Sequence, residues 1–434
     1  METEVINLII NAALYCTFAV IAIFKYKISY KTMPAIIWAI SSIVSILYFT
    51  NPFRTTTVIF HDNISLIPLL YLFGLVLISF VPLLRFDDNK IYTIKINIPF
   101  FYLISSIIIA LSLVPLYSNV KYFVENMFAA DAFIDTYKDK MDMSSFKISF
   151  LSDFEERCMR WLKYFRGVIP ILFFVSFSRI IPNNKFIIIG LGLAILNVTI
   201  NFLNYSSRYA LLTDMLYLLF IYLLFVKLKL FKVSVEKKVR GVLIFISSIL
   251  LAGIVIVTLQ RFVNNSGYSK GLDYALELYA GEGFCNFAGD LWNIRGTTDG
   301  ENCFGSFIAK WNGNDEIGRN YLHLETMVHR RMNVFYTFIG DYYTDFGRYF
   351  TVIFVLFVAF MCLKLTTCKK NTSFGVLIFL CVHCKILVVG ITYWTYLNFS
   401  FELIGSCLTA VIFFILNTNQ MSNDLNRSCS LQRL

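Results

Sequence analysis

Eleven apolar stretches with few or no charges recur along this chain, most of them near the roughly 20 residues that carry a helix across the hydrocarbon of a bilayer. They run Ile6 to Phe24, Met33 to Phe49, Ile64 to Leu84, Ile98 to Tyr117, Phe186 to Leu203, Tyr209 to Val226, Val242 to Leu259, Phe374 to Ile391 and Phe399 to Leu416. Shorter runs lie at Val168 to Ile181 and Tyr349 to Leu363, with extensions toward Trp161 and Phe346. Backbone groups facing lipid have no water to bond, so each run is expected to be a helix. The composition agrees: 57% hydrophobic and 15% charged residues stand against about 25% charge in a globular domain. These figures argue against a nucleic-acid-binding protein despite the net charge of +10. Disorder, a disulfide-rich secreted module and a soluble Rossmann enzyme go with it. The expected fold class is an all-α polytopic integral membrane protein of about eleven spans, forming one domain over residues 1–434.

Lysine and arginine sort the connections into two groups. One group carries Lys25, Lys27 and Lys31; Arg85, Lys90 and Lys95; Arg179 and Lys185; Lys227, Lys229, Lys232, Lys237, Lys238 and Arg240; Lys364, Lys369 and Lys370; and Arg427 and Arg433. That makes 19 basic residues, against only Arg54 and Arg208 in the short connections of the other group. Basic residues stay on the cytoplasmic side, which places the amino terminus outside and the carboxyl terminus inside. The basic pI is then topogenic charge facing an anionic leaflet. Glu2 and Glu4 stand where a cleavable signal peptide has its basic segment, so none is expected. Two long connections, residues 118–160 and 261–348, fall on the outer side, where function is to be sought.

Several catalytic signatures are missing. There is no G-x-x-x-x-G-K-[ST], no H-E-x-x-H and no D-x-D, which argues against an ATP-driven pump or a metal-dependent nucleotide-sugar transferase. Cys381 and Cys384 form a C-x-x-C inside an apolar run with no second pair, better read as packing than as a metal or redox site. Cys285 and Cys303 share the outer loop, where an oxidising compartment permits a disulfide.

Polar residues near the outer ends of spans need a reason, because an ionisable group at the membrane centre costs about 2.5 to 3.5 kcal/mol on insertion scales. Asn197, Asn201 and Asn204 recur on one helical face and lead through Ser206 and Ser207 to Arg208, with Asp214 about two turns further on. They read equally as the floor of an outward cavity or as a polar seam between helices. Lys385 and Glu402 lie in the outer halves of the last two spans and are expected to pair. In the large loop, Leu272, Leu276 and Tyr279 with Asp273 and Glu277 predict a short amphipathic helix stopped by Gly281. Glu325, His329 and Asn333 follow at helical spacing as a polar stripe. His329, Arg330 and Arg331 are consecutive there, joining two guanidiniums suited to phosphate with an imidazole suited to proton transfer.

The Asn204, Ser207, Arg208 turn, the large outer loop, and the segment from Asn333 through Gly340, Asp341 and Asp345 to Gly347 entering the next span resemble the O-antigen and capsular polysaccharide polymerases, the Wzy-like oligosaccharide repeat-unit polymerases. The resemblance implies transfer of a growing glycan from undecaprenyl pyrophosphate to a new lipid-linked repeat unit, at the outer face of a bacterial inner (cytoplasmic) membrane. It implies no cofactor and no metal, because the lipid pyrophosphate is both activating and leaving group. Partners would be the undecaprenyl-pyrophosphate-linked oligosaccharide, membrane lipids, a chain-length regulator and a flippase, with no nucleic acid. By analogy with the related O-antigen ligases, Arg208, Arg330 and Arg331 would hold the pyrophosphate. His329 would be the base, with Asp345 and Asp341 in reserve, and Arg261, Asn204 and Asn333 would contact substrate. The ligases favour His followed directly by Asn, whereas Met332 precedes Asn333 here, which favours polymerase over ligase. A lipid-linked oligosaccharide flippase is the competing class. Reporter fusions or cysteine labelling should find residues 118–160 and 261–348 outside and residues 227–240 inside. A cytoplasmic 261–348 loop would contradict both the topology and the chemistry.

Overall fold

The computed structural model describes residues 2–52, 54, 58–126, 150–204, 208–263, 272–305, 321–332, 334–368, 370–397 and 400–431. The described chain is almost entirely helical: α1 Glu2–Tyr26, α2 Met33–Thr50, α3 Leu66–Arg85, α4 Ile98–Asn126, α5 Asp153–Phe165, α6 Ile169–Ser176, α7 Lys185–Asn204, α8 Arg208–Lys227, α9 Val233–Val263, α10 Leu272–Asn286, α11 Tyr321–Val328, α12 Thr337–Leu365, α13 Phe374–Val389 and α14 Ser400–Leu431. Eight of them (α1, α2, α3, α4, α7, α8, α9 and α12) are long and apolar enough to cross a membrane, while α13 and the apolar part of α14 are shorter. Their outer surface is apolar as well. Ile9, Ile21 and Phe24 on α1, Phe245 and Leu251 on α9, and Ile353, Phe357 and Phe360 on α12 are exposed, a belt that is unfavourable in water and at home in lipid. α13 runs through the centre, buried along nearly its whole length, and Cys381 and Cys384 are free thiols packed inside it.

Two of the weaker runs fold differently from a simple span. Val168 to Ile181 holds only the eight-residue α6, about 12 Å long at 1.5 Å per residue. It continues α5 across a break at residues 166–168, because Pro170 near the start of α6 has no N–H for the carbonyl one turn back. The opened backbone is satisfied by Tyr217, whose hydroxyl donates to the Gly167 carbonyl at 3.1 Å. Tyr349 to Leu363 belongs to α12, which bends at Gly347 with φ +67° and ψ −176°, a conformation open essentially to glycine alone. The half before Gly347 is buried, and the half after it presents the apolar belt.

Several interior charges are paired. Lys385 binds Glu402, both side chains almost wholly buried, as expected. Arg166 at the α5/α6 break binds Asp214 at 3.0 Å and lies over the Phe202 ring. The asparagine stripe of α7 forms a seam. Asn119 of α4 donates to the Asn197 side chain at 2.8 Å and accepts from Asn201 at 3.2 Å, and Asn204 donates to the Asn119 carbonyl at 3.0 Å.

Contacts between connections sort them as the charge count does. At one end of the bundle Lys31 and Lys227 meet Asp88 at 3.6 and 3.7 Å, and the Arg179 N–H donates to the Leu230 carbonyl. There β1 (Thr93–Lys95) also pairs in parallel with β2 (Asn371–Ser373). At the opposite end Asn7 donates to the Ile64 carbonyl, Asn51 to Glu277, and the Asp62 N–H to the Gly289 carbonyl. Lysine-rich connections therefore touch one another, and the lysine-poor ones do likewise.

The 261–348 region is mostly helix and interior where described. The helix expected to stop at Gly281 runs on to Asn286, and residues 281–291 are all buried. Gly281 serves close approach: a Cβ there would lie 2.7 Å from the Val44 carbonyl oxygen and 2.8 Å from the Ser45 backbone on α2. Cys285 points at the Ser45 carbonyl, and the permitted disulfide to Cys303 is not formed. Gly281→Val should cost about 1–3 kcal/mol by overpacking, whereas Gly74→Ala, with nothing within 4 Å of the added methyl, should not destabilise the protein. A thermal-unfolding comparison of the purified variants checks this, and equal melting temperatures would contradict the close packing.

Candidate functional site

α10 ends in one turn of π-helix, Phe287–Leu291, wholly buried. That turn places the Asp290 carboxylate beneath the connection between α2 and α3, where Gly289 packs so tightly under Phe60 that a Cβ would come within 2.9 Å of its ring. The Asp290 side chain is fully buried and cannot stand there unpaired. Its Oδ2 accepts from Arg331 Nε at 2.9 Å and also from Nη2. Its Oδ1 lies 2.5 Å from His61 Nδ1 and accepts from the His61 peptide N–H at 3.3 Å. Arg330 Nε donates to the Asp290 carbonyl at 2.8 Å and Nη2 to the Asn293 carbonyl at 3.1 Å, with Asp62 3.6 Å away. One residue thus holds two guanidiniums and an imidazole. The Arg331 side chain is 33% exposed and that of His61 47%.

The sequence around the arginines folds as a turn. α11 stops at Val328, and His329 takes the left-handed conformation with φ +54°, its N–H bonded to the Glu325 carbonyl. The Glu325 carboxylate then caps the Met332 N–H at 2.8 Å. Glu325 and His329 therefore do not continue as the expected helical stripe, because the helix ends before His329. His329 is exposed. Its carbonyl accepts from Arg330, while its ring makes no hydrogen bond among the described residues. Below the turn, Tyr336 donates to the Arg331 carbonyl, and the Tyr336, Thr337 and Phe338 N–H groups bond the carbonyls of Thr392 and Gly390 after α13. These bonds hold Thr337 at φ +71°, a strained value for a β-branched residue.

Asp341 and Asp345 are buried on the first half of α12, with their oxygens engaged. Asp345 accepts from Thr298 at 2.6 Å and from the Asn302 and Cys303 N–H groups at 2.9 Å, capping the helical turn at 301–305. Asp341 accepts from Asn302 at 3.0 Å and from the Trp394 N–H at 2.7 Å. Both pin loops to α12. Asn204 belongs to the α4–α7 seam. Asn333 and the side chains of Arg208 and Arg261 lie outside the described residues, although Arg208 opens α8 and Arg261 sits in α9.

The structure brings Arg330 and Arg331 together and adds His61 and Asp290, which the sequence reading missed. Their separation by more than two hundred residues hides the pairing, and the rarity of histidine, four in the chain, is the only local signal. Together these groups can bind an anion and accept a proton. Among the described residues no cluster of His, Cys, Asp or Glu could hold a metal ion. No protein-family model, curated protein or solved structure matches the chain.

One further acid lies close by. Glu282 on α10 accepts from Asn286 at 2.8 Å, and burial pushes its carboxyl up to about 7, against the opposing pull of that hydrogen bond and of Arg331. The unfolded value is about 4.3, so the folded state holds this proton more tightly. Stability contributed by the neutral acid is therefore lost as pH rises from about 4.5 to about 7. Glu282→Gln should flatten that decline and raise the melting temperature at pH 8. An unaltered pH profile would contradict a neutral Glu282.

Proposed function

We propose that this chain is a glycosyltransferase of eleven spans in a bacterial inner membrane, amino terminus outside. In this reading it polymerises undecaprenyl-pyrophosphate-linked oligosaccharide repeat units into O-antigen or capsular polysaccharide. The observation that carries the reading is the pair of guanidiniums, Arg330 and Arg331, fixed on one buried aspartate at the bundle end opposite the lysine-rich connections. Fixed guanidiniums suit a leaving group that gathers negative charge on phosphate oxygens, and a lipid pyrophosphate presented at that face is such a group. Arg208 joins them as a third ligand on the strength of the sequence motif. Electrophilic assistance from preorganised donors needs no nucleotide site, in keeping with the missing phosphate-loop signature.

A transporter of lipid-linked oligosaccharides is the second reading, favoured by the break between α5 and α6 and the ion pairs gathered around it, since transporters use interrupted helices near the bilayer midplane. A deletion strain separates the classes on a surface-glycan ladder gel. Loss of a polymerase leaves one repeat unit on the carrier glycolipid, and loss of a ligase or flippase leaves none. Arg331→Lys keeps a charge opposite Asp290 but loses the fork, so it should accumulate normally and cut polymerisation by about 10² to 10³, collapsing the ladder toward single repeats. A full ladder from Arg331→Lys would return that arginine to a structural role.

A further inference from the structure

We propose that His61, from the connection between α2 and α3, is the general base that deprotonates the acceptor sugar hydroxyl; the inference rests on the polymerase reading above. Asp290, paired with Arg331, accepts, so the 2.5 Å contact orients the His61 ring with an N–H on Nδ1, and in the neutral ring the lone pair then sits on Nε2. The peptide N–H of His61 bonds the same carboxylate oxygen, which anchors backbone and ring together. With 47% of its side chain exposed, the ring is open to a substrate. The second Asp290 oxygen holds Arg331, and the Asp290 carbonyl holds Arg330. Proton acceptor and phosphate ligands are therefore mounted on one buried residue.

The other candidates lack this arrangement. The His329 ring is exposed and makes no hydrogen bond among the described residues, His323 pairs with an exposed Glu301 at 3.2 Å, and His383 is buried on α13 against the Ser79 carbonyl. Asp341 and Asp345 are engaged by backbone and side-chain donors. Among the described residues, His61 is the histidine oriented by a fully buried carboxylate.

In the step itself, Nε2 of His61 takes the proton of the acceptor hydroxyl as that oxygen bonds the anomeric carbon of the donor glycan. The bond from that carbon to the pyrophosphate oxygen breaks, and its electron pair leaves on the lipid pyrophosphate, whose charge faces Arg330 and Arg331. The proton then passes from His61 to water.

Purified full-length protein in lipid nanodiscs, given a synthetic undecaprenyl-pyrophosphate-linked repeat unit, tests this. His61→Ala should lower kcat by about 10² to 10⁴ with donor KM nearly unchanged, and added imidazole should restore part of the rate. A His61→Ala protein with wild-type kcat overturns the assignment and leaves the polymerase reading standing. An inactive His61→Ala protein that imidazole does not rescue likewise overturns it, making His61 structural. Wild-type protein that leaves the repeat units unextended overturns the polymerase reading and this assignment together.

Discussion

A charge taken out of water must be neutralised where it sits, and removing one partner of a buried pair costs about 3–5 kcal/mol. The architecture here follows from meeting that requirement repeatedly. Lys385 and Glu402 tie α13 to α14, Arg166 and Asp214 tie the α5/α6 break to α8, and Lys31 and Lys227 converge on Asp88 between three connections. The same rule operates at the opposite end of the bundle, where Asp290 is buried beneath a loop and collects Arg331 and His61. What neutralises the aspartate there is the set of groups to which the proposed chemistry is assigned.

That coupling fixes the site in place. α10 lies against α2 at the distance Gly281 permits, the π-turn follows directly, and the residues after α11 are held by Glu325, Tyr336 and the carbonyls beyond α13. Guanidiniums positioned before substrate arrives need no rearrangement as charge develops. The bend at Gly347 lets one helix serve two environments, its first half pinning loops through Asp341 and Asp345 and its second half facing outward as apolar surface.

Apolar runs along one chain reveal helices because burial against lipid depends on local composition, and ten of the eleven runs fall largely within helices, eight of them long and apolar enough to cross a membrane, although those at Val242, Tyr349 and Phe399 belong to helices much longer than the runs. The eleventh, at Val168, was shortened by Pro170 and Gly167, whose break makes sense only with Tyr217, Glu402 and Ser406 packed around it. Gly281 shows the same limit: a glycine can end a helix or admit a neighbour, and only the neighbour, Ser45 of α2, decides. Arg330 and Arg331 were legible as a local cluster. His61 and Asp290 were not, because a buried carboxylate chooses its partners in space. The asparagine stripe of α7 was visible as a face, while its partner Asn119 belongs to another helix.

In the proposed reaction Arg330 and Arg331 together hold the lipid pyrophosphate. Native mass spectrometry of the purified protein with undecaprenyl pyrophosphate, comparing wild type with the Arg330→Lys, Arg331→Lys double variant, tests it most directly. Wild type should retain one lipid pyrophosphate tightly and the variant should lose it, with uncharged lipids retained equally by both. Equal retention of undecaprenyl pyrophosphate by the two proteins would contradict it.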